Sequence, residues 1–84
     1  MRLYTKIYKN NKITDSATVS SENPELPKAL LECFEETYRL LDLAEPLWLS
    51  GHTRDFSNFR RVKLYPGDFI EPVDFDYCEM VILD

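Results

Sequence analysis

The residues best suited to binding or catalysis lie together in one segment, residues 46–63, which reads PLWLSGHTRDFSNFRRVK. It holds the only Trp and the only His of the chain, and three of its five Arg, although the formal net charge of the chain is -5. Desolvated Trp and Arg side chains supply much of the binding energy of protein interfaces, and opposite charges steer encounter. We therefore predict a partner-binding surface with seven candidate residues: Trp48, His52, Arg54, Phe56, Phe59, Arg60 and Arg61.

An enzyme is one alternative, and it would use His52 with a thiol. Nucleophilic catalysis needs a thiol or hydroxyl beside a base, so His52 would have to meet Cys33 or Cys78 in space. No local motif joins these residues, and their spacing is not that of a zinc site. The two glycines of the chain do not form a phosphate-binding loop. The sequence therefore predicts no catalytic residue, no metal and no cofactor.

Nucleic-acid binding is a second alternative, through Arg54, Arg60, Arg61 and Lys63. These cations would contact phosphates while neighbouring aromatic rings stack on bases. The net charge of -5 opposes this interpretation, because the acidic remainder of the chain repels phosphate at long range. Nucleic acid is accordingly not the partner we expect.

Both binding interpretations compete with an internal role for the same segment. Trp48, Phe56 and Phe59 would then complete the hydrophobic core. The arginines would pair with acids of the same chain, such as Asp74, Asp76 or the glutamates of the central helix. Exposure of the rings and pairing of the guanidinium groups distinguish the two roles.

Length and composition indicate one folded domain, residues 1–84. The chain is 44% hydrophobic and 30% charged, with few Gly and Pro, which is typical of a folded protein rather than a disordered one. Cys33 and Cys78 form no CxxC pair and would be thiols in a reducing cytosol, and the chain shows neither a signal peptide nor an apolar run of membrane-spanning length. We expect a cytoplasmic protein without a membrane association, whose partner is an unknown protein or a second copy of itself.

The first two strands form a predicted hairpin over residues 2–9 and 12–19. Asn10 and Asn11 tolerate the positive φ values that a tight turn requires, and the register places Tyr8 opposite Ile13. If that register continues without interruption, Lys6 lies opposite Asp15. The face expected to meet the core then carries Tyr4, Tyr8, Ile13, Ala17 and Val19.

Helical spacing of apolar residues predicts one long helix from residue 26 to about 43, ended by Pro46. A turn at Ser50-Gly51 and a short helical turn over residues 52–59 should follow. Residues 61–65 alternate as a strand, and the last strand, from Val73 onward, becomes apolar on both sides and so belongs inside the sheet. The prediction is an α+β fold of two layers: an N-terminal β-hairpin, one long helix and two further strands on a mostly antiparallel sheet.

The run WLSGHTRDFSNFRR, followed by DFIEPVDFD and an apolar end, resembles a small family of uncharacterised bacterial proteins. A Trp-Leu pair, an Arg-x-Phe step and a late Phe-Asp step carry the resemblance, mainly in the C-terminal half. It implies a compact α+β bacterial domain and assigns no activity, cofactor or site residue.

Overall fold

The N-terminal hairpin consists of β1, Arg2–Lys9, and β2, Lys12–Ser20, in a computed structural model that describes residues 1–83. Asn10 and Asn11 form the turn with φ values of 54° and 63°. Asn tolerates this left-handed region because its short polar side chain can bond locally. The predicted pairing of Tyr8 with Ile13 is confirmed.

The prediction of which face of β1 meets the core is wrong. The strand register shifts by one residue close to the turn, between Ile7 and Tyr8. Ile7 pairs with Asp15 rather than with Thr14, so β2 carries one extra residue as a bulge. A shift of one residue exchanges the two faces of a strand. Buried Leu3, Thr5 and Ile7 therefore meet the core. On the other face lie Tyr4, Lys6, Tyr8 and Ile13, whereas Ala17 and Val19 keep their predicted side.

The predicted long helix is α1, Leu26–Leu41. Pro27 occupies its first turn, where the missing N–H has no intrahelical partner to lose. The helix ends at Asp42, which adopts a left-handed conformation with φ 49°. Its buried face carries Ala29, Cys33 and Thr37, which are spaced four residues apart.

A second helix, α2, spans Ser50–Phe59, so the predicted short helical turn is longer than expected. Ser50-Gly51 forms the first residues of this helix and not the predicted turn. The helix ends at Arg60 in a left-handed conformation with φ 57°, and the chain then enters β3, Arg61–Leu64. This sharp change of direction carries the chain from the helical layer into the sheet.

The final strand, β4, spans Tyr77–Ile82 and lies between β1 and β3 in the sheet order β2-β1-β4-β3. All three pairings are antiparallel. The strand starts later than predicted, because residues 73–76 are irregular. Its inner position is confirmed, since Cys78, Glu79 and Met80 are all buried.

The helices cover one face of the sheet only: α1 packs on β1 and β2, and α2 packs on β3. The predicted two-layer α+β fold with an N-terminal hairpin is therefore confirmed. The core between the layers consists of Leu3, Ile7, Val19, Cys33, Leu43, Phe56, Val62, Leu64, Phe69, Phe75, Cys78 and Met80.

Candidate functional site

Two of the three candidate rings contribute to the interior. Phe56 is 7% exposed, and half-buried Trp48 packs against the core. Their ring centroids lie 6.0 Å apart, and Phe34 of α1 lies 5.0 Å from Trp48 and 5.9 Å from Phe56. The indole N–H of Trp48 donates to the Tyr38 hydroxyl at 3.4 Å. This ring cluster, Phe34, Trp48 and Phe56, joins the two helices.

The side chain of His52 bonds to the backbone at the N-terminal end of α2. Its Nδ1 accepts the backbone N–H of Leu49 at 3.1 Å, and its Nε2 lies 3.4 Å from the carboxylate of Asp68. The same carboxylate accepts the backbone N–H of Tyr65 at 2.8 Å. A neutral imidazole that accepts at Nδ1 carries its proton on Nε2, which faces the Asp68 carboxylate. His52 therefore links α2 to the loop after β3.

The two thiols are in the core. Cys33 and Cys78 are both free and fully buried. Burial raises the pKa of Cys33 above its usual value and raises the pKa of Cys78 to about 12. Both side chains are therefore protonated at neutral pH, whereas a nucleophile must be a thiolate. This geometry adds no support to the enzyme alternative.

The other candidate residues face solvent. Phe59 is 66% exposed, in contrast to Phe56 one helical turn earlier. Arg54, Arg60 and Arg61 are exposed as well. Within residues 1–83, none of these three guanidinium groups forms an ion pair or a side-chain hydrogen bond. Residues 46–63 therefore divide into two groups. Trp48, His52 and Phe56 contact other parts of the same chain, whereas four candidates are exposed to solvent: Phe59, Arg54, Arg60 and Arg61.

The four cations of the nucleic-acid alternative do not share one surface. Arg54 and Arg60 belong to the helical layer, at α2 and its C-terminal cap. Arg61 and Lys63 project from β3 on the opposite face, because they alternate with Val62 and Leu64, which point into the core. A phosphate backbone would have to cross the edge of the sheet to contact all four.

The face of the sheet without helices carries an aromatic and basic surface that sequence reasoning missed. It holds four of the five tyrosines of the protein in alternation with basic residues. Tyr8 stacks on Tyr77 with centroids 4.6 Å apart, and Tyr65 lies 5.9 Å from Tyr77. The Lys63 ammonium lies 5.1 Å from the centre of the Tyr77 ring. The predicted facing of the hairpin instead turns Tyr4 and Tyr8 of this surface toward the core.

One carboxylate lies within this uncovered face. Glu79 is buried, directly opposite Lys6 on β1 and Lys63 on β3. Its Oε1 lies 3.1 Å from Lys6 Nζ, and this hydrogen bond is the main cause that raises the pKa of Lys6. The pair neutralises the centre of the surface and leaves the positive charge of Arg61 and Lys63 toward the β3 edge.

The outer edge of β3 lies beside a surface groove of about 560 Å³. Its lining combines both sides of the strand: Phe59 and Asp55 from α2, and Arg61, Lys63 and Tyr65 from the uncovered face. We call these residues and the strand itself the β3 edge. It brings together two candidate residues, Phe59 and Arg61, with three that were not among the seven, Asp55, Lys63 and Tyr65.

Across the described part of the chain, neither helix has the length and apolar character to cross a bilayer. The same residues contain no cluster of three or more His, Cys, Asp or Glu side chains arranged to hold a metal ion.

Comparison with protein-family models, with curated proteins and with solved structures found no match to this chain. The resemblance to a small bacterial family therefore stays a prediction.

Proposed function

We propose that the protein is a small cytoplasmic interaction module that captures an extended, acidic segment of another protein by adding it as a strand to the β3 edge. The proposal refines the predicted role of residues 46–63 by placing it at the end of that segment. Its main support is the combination of an open strand edge with the positive charge of Arg61, which has no ion-pair partner among the described residues 1–83. The two free thiols support a reducing compartment such as the cytoplasm.

The first argument concerns the backbone of β3. The N–H of Ile82 donates to the carbonyl of Arg60, and the N–H of Leu83 donates to the carbonyl of Arg2. Neighbouring residues of an antiparallel strand alternate in the side to which they bond. Arg61 and Lys63 therefore direct their backbone groups away from β4, where an added strand can bond to them.

The second argument concerns charge. Residues of an added strand opposite Arg61 and Lys63 would have their side chains on the same face as these two cations. Glu79, the acid directly opposite Lys63 on β4, is bonded to Lys6. Carboxylates on the incoming strand would supply the missing partners, and opposite charges directly across a sheet are favourable.

The third argument concerns the other face of the incoming strand. Its residue opposite Val62 would point toward the helical layer, where exposed Phe59 lines the groove with Val62. An apolar side chain there would cover Phe59 and remove apolar surface from water. The expected ligand is therefore an extended segment with the order acidic, apolar, acidic.

A second copy of the chain is a poor occupant of the same edge. Two-fold antiparallel pairing centred on Val62 would place Arg61 of one copy opposite Lys63 of the other. Like charges directly across a sheet are destabilising. Charged residues on an edge are a common protection against such self-pairing.

The proposal is tested with a fluorescently labelled peptide that contains two Glu-Val-Glu units, by anisotropy at low salt. The double variant Arg61→Gln/Lys63→Gln should bind about 2- to 30-fold more weakly, because each exposed ion pair contributes about 0.2–1 kcal/mol. The matched control Arg54→Gln/Arg60→Gln carries the same change in charge and should bind as the unmodified protein does.

Two further peptides test the mode of binding. A peptide N-methylated at its Glu residues keeps its charges but loses the backbone donors that face Arg61 and Lys63, so it should not bind. A sequence with Gln in place of each Glu should bind more weakly. Equal loss of affinity in both double variants, or full binding of the N-methylated peptide, contradicts strand addition. Displacement of the peptide by oligothymidylate, with steep dependence on salt, would favour the nucleic-acid alternative instead.

A further inference from the structure

A second cavity lies on the other layer of the molecule, between α1 and α2, and it has a volume of about 390 Å³. This interhelical groove is separate from the β3 edge. The ring cluster, Phe34, Trp48 and Phe56, forms part of its wall. Met1, Leu26 and Leu30 add aliphatic surface, and Leu26 remains 66% exposed. An apolar groove of this size is within the range of small-ligand sites.

The polar side chains of the lining come from α2 and its C-terminal cap. They are Thr53, Ser57 and Arg60, which lie on the same side of the helix as Phe56. Among residues 1–83, the Arg60 guanidinium has no carboxylate or other hydrogen-bond partner. A groove lined by rings and aliphatic side chains, with a cation that has no partner among residues 1–83, is complementary to a molecule with an apolar chain and an anionic head.

We propose that the interhelical groove binds a small aliphatic carboxylate, with its chain against the ring cluster and its head at Arg60. Guanidinium and carboxylate groups match in geometry as well as in charge, since two parallel N–H groups can bond to the two oxygens. The hydroxyls of Thr53 and Ser57 add hydrogen-bond donors on the same side of α2 as Arg60. A cationic or uncharged amphiphile lacks the complementary head.

Trp48 makes the test specific, because it is the only Trp and it lines the groove. Its fluorescence is titrated at pH 7 with octanoate, 1-octanol and octylamine, each below its aggregation concentration. Octanoate should shift the emission and bind about 1.5- to 5-fold more tightly than octanol, as expected for one exposed ion pair. Octylamine should bind most weakly.

Three variants separate the head from the chain. Arg60→Gln should remove the preference for octanoate over octanol, while the matched control Arg54→Gln keeps it. Ser57→Phe fills the groove from an exposed helical position and should abolish binding of all three probes. Circular dichroism verifies that each variant is folded.

Equal affinity for octanoate and octanol would overturn the proposal, as would an unchanged Trp48 signal. The same loss of preference in Arg54→Gln, or full octanoate binding by Ser57→Phe, would also overturn it. The peptide experiment at the β3 edge does not depend on this result, because neither Ser57 nor Trp48 lines that surface.

Discussion

The two faces of the sheet arise from one alternation of side chains, but they differ in composition. The face under the helices is apolar and hides both thiols, whereas the uncovered face displays tyrosines and cations around one bonded carboxylate. Residues 46–63 begin in the first environment and end in the second. An aromatic and basic segment is therefore not one surface, and its residues must be assigned to a layer before they are assigned a role.

The largest expected effect contrasts the two phenylalanines of α2. Phe56→Ala should lower the free energy of unfolding by about 3–4 kcal/mol, because it empties a packed core position. Phe59→Ala should change it by no more than about 0.5 kcal/mol, since the ring is exposed. Urea unfolding of both variants measures the difference. Similar losses in the two variants would contradict the division of the segment.

The next effect tests the uncovered face. Lys6→Gln should cost about 1–3 kcal/mol, because it leaves the buried Glu79 carboxylate without its bonded partner. The double variant Lys6→Gln/Glu79→Gln should recover most of that loss. If the double variant is no more stable than the single one, the pair does not have the role assigned to it.

The same pair predicts a dependence of stability on alkaline pH. The pKa of Lys6 is raised by its bond to Glu79, so the folded state holds this proton more tightly than the unfolded state. The resulting stability is fully present below 10.5, the ordinary pKa of a lysine, and is lost as pH rises through the higher folded pKa. Thermal unfolding between pH 9 and about 12 should show this loss, and Glu79→Gln should reduce it.

The smallest effect concerns the residue at which the chain passes from one layer to the other. Arg60 has a φ of 57°, a conformation that glycine adopts without steric cost. Arg60→Gly should therefore stabilise the protein by about 0.5–1 kcal/mol, whereas Ser57→Gly inside the helix should destabilise it by about 0.5 kcal/mol. A destabilising Arg60→Gly would show that the arginine side chain contributes to the fold.

The sequence predicts the hairpin turn, the long helix and the inner position of the last strand, because each depends on local chemistry or on periodicity. It does not predict which face of β1 meets the core. That choice depends on one bulge next to the turn, and the residue types around Thr14 do not indicate it. Because the predicted facing turns Tyr8 toward the core, the sequence does not reveal the surface formed by Tyr8, Tyr77 and Lys63.

The candidate residues divide for a similar reason. Helical periodicity places Phe56 and Phe59 near one another, but only the position of α2 on the sheet decides which of them is buried. The β3 edge depends on strand order, since Arg61–Leu64 lies at an edge only because β4 pairs with β1 on its other side. Strand order is a long-range property that a single sequence does not display.

Amide hydrogen exchange at Arg61 and Lys63, measured with and without the acidic peptide, tests the central claim most directly. Both amides point away from β4, so they should exchange quickly in the free protein and at least tenfold more slowly when the peptide is bound. Unchanged exchange at both residues under saturating peptide, or protection confined to β2, would contradict strand addition at the β3 edge.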